Sequence, residues 1–178
     1  MQRFFKAQKA LFMVFAVLSC VVFAYTLSFM TDFSPLFGLE LKQNEFVSQF
    51  HDVFMQGFNK TLFAFAVYGV VLIAVGSYFQ LGKYVPDGIA AVVMSLALAG
   101  VLYSCYYALI NLPDLQVWAV SLDYSKLALE GVDSFQLNTR IFSIGMALYS
   151  VYAVVSAALI AVMIAGNRIF KKSEAKAA

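Results

Sequence analysis

Charge is scarce in this chain, and it is missing altogether where the chain is most apolar. Asp, Glu, Lys and Arg together make up 12% of the 178 residues, against 62% hydrophobic residues. Ordinary soluble domains carry about 25% charged residues. A soluble protein of this length with so few charges has too little polar surface to cover itself, so the class is an integral membrane protein. Four long runs, 10–30, 61–81, 89–110 and 141–166, contain no Asp, Glu, Lys, Arg or His. An ionisable side chain at the centre of a membrane helix costs about 2.5–3.5 kcal/mol on insertion scales and is usually kept for a task. Its absence argues against a proton- or sodium-coupled pump and against chemistry at mid-membrane. The net charge of +2 is too small to suggest nucleic acid as a partner.

Cysteine and histidine are nearly absent as well. Cys20 and Cys105 each sit inside an apolar run, with no CxxC pair. They read as small buried apolar side chains rather than as a disulfide framework. His51 is the one histidine, with Asp52 beside it. Adjacent residues on a helix do not face each other, and a zinc site needs three or four ligands, so this pair reads as a solvated face. The eight acids of the two long loops follow no EF-hand spacing. No metal, cofactor or catalytic residue is assigned.

The four runs are long enough to cross a bilayer. The last, 141–166, makes a helix of roughly 39 Å, which exceeds the hydrocarbon core and can cross with some tilt. The first run is longer than a signal-peptide core, and no small-x-small cleavage site follows it, so it reads as a span that is kept. The fold expected is all-α: four transmembrane helices in a single domain. Gly82, Pro86 and Gly88 mark 82–88 as a tight turn between spans two and three. The tail 167–178 is basic and is expected to fray.

Two outer segments, 31–60 and 111–140, are polar enough to lie in water. In the first, Phe46, Phe50, Phe54 and Phe58 recur every four residues. That pattern predicts an amphipathic helix whose aromatic stripe rests on the bilayer interface or on the span ends. In the second, Leu115, Trp118 and Leu122 have helical spacing, and the single tryptophan, Trp118, suits an interface. The two halves also share a plan. Pro35 aligns with Pro113, and Asn59 with Asn138. A parallel duplication of one hairpin accounts for this, as does the general likeness of helical hairpins.

Small residues mark the faces expected to pack. Ala153, Ala157, Ala161 and Ala165 recur every four residues in the last span, and Ala91, Ser95 and Ala99 in the third. Such rows let another backbone approach closely in lipid. The last span is therefore expected to be the helix around which the others pack. Hydroxyls are plentiful in the spans, among them Tyr25, Tyr68, Tyr149, Tyr152 and Ser156. They read as interhelical hydrogen bonds and interfacial anchors, or alternatively as the lining of a path for an uncharged solute. Asn59-Lys60-Thr61 has the form of a glycosylation acceptor at the edge of the second span.

Orientation follows from the basic residues. Arg3, Lys6, Lys9, Lys83, Arg168, Lys171, Lys172 and Lys176 fall on the side of the termini, and Lys42, Lys60, Lys126 and Arg140 on the other. The positive-inside rule then places both termini in the cytoplasm, in a cell membrane. Small multidrug-type exporters, membrane disulfide-forming enzymes and claudin-like tetraspans are each excluded by a missing residue: a membrane glutamate, paired cysteines, and a Trp–Cys pattern in the first outer loop. The expectation is a non-enzymatic accessory or scaffold subunit of a membrane complex, with lipid and another membrane protein, or a second copy, as partners. The alternative is a small transporter or channel for uncharged or lipid-like solutes.

Overall fold

The computed structural model describes residues 2–27, 56–81, 88–121 and 140–177. They form four helices: α1 (Gln2–Leu27), α2 (Gln56–Tyr78), α3 (Gly88–Ser121) and α4 (Arg140–Ala177). There is no strand among the described residues. All four helices are long and apolar enough to cross a membrane, over Phe5–Leu27, Gly57–Tyr78, Gly88–Val117 and Arg140–Asn167. Helix is the expected outcome for such sequences, because a lipid-exposed backbone must satisfy its own N–H and C=O groups.

The helices close a bundle in chain order. Helix α1 packs on α2, α2 on α3, α3 on α4, and α4 back on α1; α3 and α4 make the most extensive contact and α2 and α3 the least. Bonds at the two ends fix the antiparallel arrangement. The Gln8 side chain, near the start of α1, donates Nε2–H to the carbonyl of Leu81 just beyond α2, at 2.8 Å. Tyr25, near the end of α1, donates to the carbonyl of Ile141 at the start of α4, at 3.0 Å.

The buried rows alternate steps of three and four residues. In α4 they are Phe142, Gly145, Tyr149, Tyr152, Ser156, Leu159, Met163 and Gly166; in α1 they are Gln8, Phe12, Phe15, Ser19, Val22 and Tyr25. This spacing holds a seam on one side of a helix, as in left-handed coiled coils. The four-residue rows of small side chains behave differently. Each step of four advances about 40° around a helix with 3.6 residues per turn, so the row spirals away from any fixed neighbour. Ala153 is half-buried, Ala157 and Ala161 are exposed, and Ala165 is half-buried again. In α3, Ala91 is buried, Ser95 half-buried and Ala99 exposed.

Three stretches run differently from the expectation. Helix α3 does not stop at residue 110 but continues through Pro113 to Ser121. Leu112, fully buried, and half-buried Leu115 hold the stretch around the proline against the core, so burial outweighs the hydrogen bond the proline removes. Helix α4 continues through the basic tail to Ala177. That tail is rich in Ala, Lys and Glu, which are strong helix formers. Cys20 was expected to be buried and is exposed on the outward side of α1, whereas Cys105 is buried. Phe46, Phe50 and Phe54 of the aromatic stripe, and Pro35 of the internal alignment, lie outside the described residues, as does the side chain of Trp118.

The chain leaves α2 through a Schellman turn. Leu81 N–H reaches back to the Gly76 carbonyl and Gln80 N–H to the Ser77 carbonyl, both at 3.0 Å. Gln80 takes the left-handed conformation that glycine usually fills, with φ of 55°. Leu81, fully buried, closes the turn.

Candidate helix-packing and docking site

Four aromatic side chains lie against four glycines. Phe12 of α1 covers Gly76 of α2, Tyr25 of α1 covers Gly145 of α4, Tyr68 of α2 covers Gly100 of α3, and Tyr152 of α4 reaches Gly69 of α2. A Cβ added at Gly69 would come 2.6 Å from the Tyr152 hydroxyl, and one at Gly100 would come 2.9 Å from that of Tyr68. At Gly76 and Gly145 it would run into the Phe12 and Tyr25 rings. A glycine here is a socket for an aromatic ring. In lipid, association relies on close dispersion contact rather than on water exclusion, so such sockets matter more than apolarity.

The tyrosine hydroxyls then find partners across the bundle. Tyr68 donates to the Ala97 carbonyl at 2.8 Å. Tyr152 stacks on Phe15, with ring centroids 5.5 Å apart, and its hydroxyl lies 2.8 Å from Ser19 Oγ. Ser19 donates its own proton to the Phe15 carbonyl at 2.9 Å, which makes Tyr152 the donor in that pair. Other hydroxyls turn back onto their own helix: Ser77 onto Ile73, Ser104 onto Val101 and Ser150 onto Met146. Two buried hydroxyls, Tyr149 Oη and Ser156 Oγ, have no hydrogen-bond partner, and Ser95 Oγ is likewise buried and unpaired.

Aromatic rings also bridge the first half of α2 and the second half of the membrane-crossing part of α3. Phe58, buried, stacks on Tyr107 at 5.9 Å, and Phe65 meets Tyr107 and Tyr103 edge-on at 5.8 and 6.0 Å. Phe58 of the expected aromatic stripe is thus a core residue of α2. Asn59 of the Asn59-Lys60-Thr61 sequence is buried in the same helix.

No protein-family model, curated protein or solved structure matches this chain. The reading of its site therefore rests on geometry. Among the described residues no group of His, Cys, Asp and Glu is placed to hold a metal ion.

The outward faces of the helices are unequal. Along α4 one outward row is Ser143, Ala147, Ser150, Val154, Ala157, Ala161 and Ile164, with exposed Ile144 and Val151 beside it at the end where the helix begins. Five of the seven in the row are Ala or Ser. Along α3 the exposed residues include Ile89, Val92, Leu96, Tyr103, Tyr106 and Ile110. A bulky face meets fluid lipid chains well; a shallow one lets another helix backbone come close. The glycine sockets within the bundle were not among the residues singled out from the sequence. The signal that marks Gly69, Gly76 and Gly145 is a glycine falling on the three-four seam of its helix, as Gly145 does between Phe142 and Tyr149; Gly100 is half-buried beside its seam and carries no such mark.

Proposed function

We propose that this integral membrane protein is a non-enzymatic accessory or scaffold subunit, held in the cell membrane with both termini in the cytoplasm, that docks a larger membrane protein along the outward face of α4. The observation that carries the proposal is the small-residue row there: Ala157 and Ala161 point away from the bundle, whose own seam uses other residues. The engaged tyrosine hydroxyls add support, since Tyr25, Tyr68 and Tyr152 all serve helix–helix bonds. The orientation rests on eight Lys and Arg on the side of the termini against four on the other.

The test is a mild-detergent pull-down of the tagged protein from its own membrane, with mass spectrometry of what co-purifies. A defined partner in fixed stoichiometry is the expected result; a clean monomer overturns the subunit reading. A second reading, a small transporter or channel for uncharged or lipid-like solutes, draws on the unpaired buried hydroxyls of Tyr149 and Ser156. Flux of such a solute in liposomes, abolished by Tyr149→Phe with Ser156→Ala, is the result that would favour it.

A further inference from the structure

Helix α3 carries two three-four rows, on opposite faces. Its core seam runs through Met94, Leu98, Val101, Cys105 and Ala108, all buried. The outward row is Val92, Leu96, Ala99, Tyr103, Tyr106 and Ile110, all exposed. Bulk alone would suit that row to lipid chains, but the two tyrosines do not suit them. Tyr103 stands fifteen residues after Gly88 and fourteen before Val117, at the middle of the apolar stretch of α3, with Tyr106 one turn further on. They are 59% and 62% exposed. Hydrocarbon offers a hydroxyl neither donor nor acceptor, and a polar group without a partner there is costly.

Exposed serines in the other helices meet this need at home. Ser77 and Ser150 donate to carbonyls one turn back on their own helices. A tyrosine hydroxyl stands at the far end of a rigid ring and cannot turn back in that way. Neither Tyr103 nor Tyr106 has a hydrogen-bond partner among the described residues. Both rings are nevertheless held. Phe65 of α2 meets Tyr103 edge-on at 6.0 Å, and the Tyr103 and Tyr106 rings lie 6.4 Å apart. The hydroxyls are thus presented outward from an aromatic bed already in place, which lowers the entropy lost on association.

We propose that a second copy of this chain packs on the outward face of α3, with the two α3 helices parallel and side by side. Hydrogen-bond complementarity selects this occupant. A tyrosine hydroxyl both donates and accepts, so each is satisfied by its own counterpart across a two-fold axis, with no other residue needed. Two copies threaded the same way through the membrane have that axis along the membrane normal. Tyr103 then meets Tyr103, and Tyr106 meets Tyr106, at one depth. The three-four spacing keeps the contact on one line as the two helices wrap around each other. Ala99, one turn before Tyr103, lets the backbones come close. This face is separate from the outward row of α4, and the proposal does not depend on the subunit reading.

Energy transfer between donor- and acceptor-labelled copies of the purified protein, mixed in phosphatidylcholine liposomes, tests the proposal. The transfer is expected to fall along a monomer–dimer curve as the protein is diluted with lipid. The variant Tyr103→Phe/Tyr106→Phe keeps both rings, and its dimer should come apart at about tenfold higher protein density. Tyr78→Phe, exposed at the end of α2, should leave the curve unchanged. Cross-linking locates the face independently. In a Cys20→Ser background, Ala99→Cys should give a disulfide-linked dimer on oxidation, and Val71→Cys, exposed on α2, should not. Unmodified protein that stays monomeric at every density overturns the proposal and leaves the row to lipid or to a different chain. A dimer just as tight without the two hydroxyls overturns it as well. So does a dimer that Ala99→Cys fails to cross-link, since its contact would lie on another face.

Discussion

Tyr149 and Tyr152 are one turn apart on α4, both are buried, and their hydroxyls have opposite fates. That of Tyr152 donates to Ser19, while that of Tyr149 has no partner. A buried polar group left unsatisfied costs about 1–3 kcal/mol, whereas a hydrogen bond between membrane helices contributes about 0.6 kcal/mol. Tyr149→Phe should therefore raise stability by about 1 kcal/mol and Tyr152→Phe should lower it by about 0.6 kcal/mol. The pair is read by unfolding the purified protein in mixed detergent. A loss of stability in Tyr149→Phe would show that its hydroxyl is engaged, by water or by a ligand. Gly145 is the sharper residue. The Tyr25 ring that covers it is held by its own bond to the Ile141 carbonyl and edge-on against Tyr149, at a centroid distance of 6.1 Å. Neither can move without loss, so Gly145→Ala should destabilise by about 1–3 kcal/mol, the usual range for overpacking. In Gly145→Ala/Tyr25→Leu the clash is relieved, and the cost of the alanine should fall. A cost unchanged in the double variant would place the effect of Gly145 elsewhere.

The helices were legible from the sequence, and their faces were not. A run without charge that is longer than the hydrocarbon core has one structural outcome in lipid, so the four spans followed from composition alone. A face is read from the contrast between apolar and polar sides, and α2 and α3 are apolar all round. Spacing was the remaining signal, and the alanines every four residues in α4 gave a row that turns out of the interface by Ala157. The three-four row through Gly145 and Tyr152 was equally present in the sequence; it mixes Phe, Gly, Tyr and Ser, so no single residue type announces it. The end of α2 shows the same kind of gap. Nothing in Ser77-Tyr78-Phe79-Gln80-Leu81 signals a Schellman turn, because its left-handed position holds glutamine instead of glycine. Burial of Leu81 and the Gln8 bond to its carbonyl fix the turn from outside. A non-glycine residue in that conformation costs about 1 kcal/mol, and Gln80 is exposed, so its side chain contributes little in return. Gln80→Gly should raise stability by up to about 1 kcal/mol, measured as a shift of the thermal midpoint. An unchanged or lower midpoint would show that the glutamine side chain stabilises the turn.

For the molecule as a whole, the two kinds of small residue divide the work between inside and outside. Glycines inside the bundle receive aromatic side chains and help close it, whereas Ala157 and Ala161 on the outward row of α4 are exposed. This separation makes the docking surface testable without disturbing the fold. A leucine at Gly145 has nowhere to go, but one at Ala157 or Ala161 points outward. Those positions are already exposed, so enlarging them leaves the core as it is, and an exposed substitution usually changes stability by no more than about 0.5 kcal/mol. Ala157→Leu and Ala161→Leu should therefore keep the thermal midpoint of the purified bundle. In the membrane the same changes raise two ridges on the shallow face, which holds a partner helix away and costs it the close contact on which association in lipid depends. Loss of the co-purifying partner at unchanged stability is the expected pair of results. A fall in stability would mean that the outward row packs within the bundle after all. Full retention of the partner in both variants, at unchanged stability, would move the docking surface off this row of α4, to the outward faces of α1, α2 or α3.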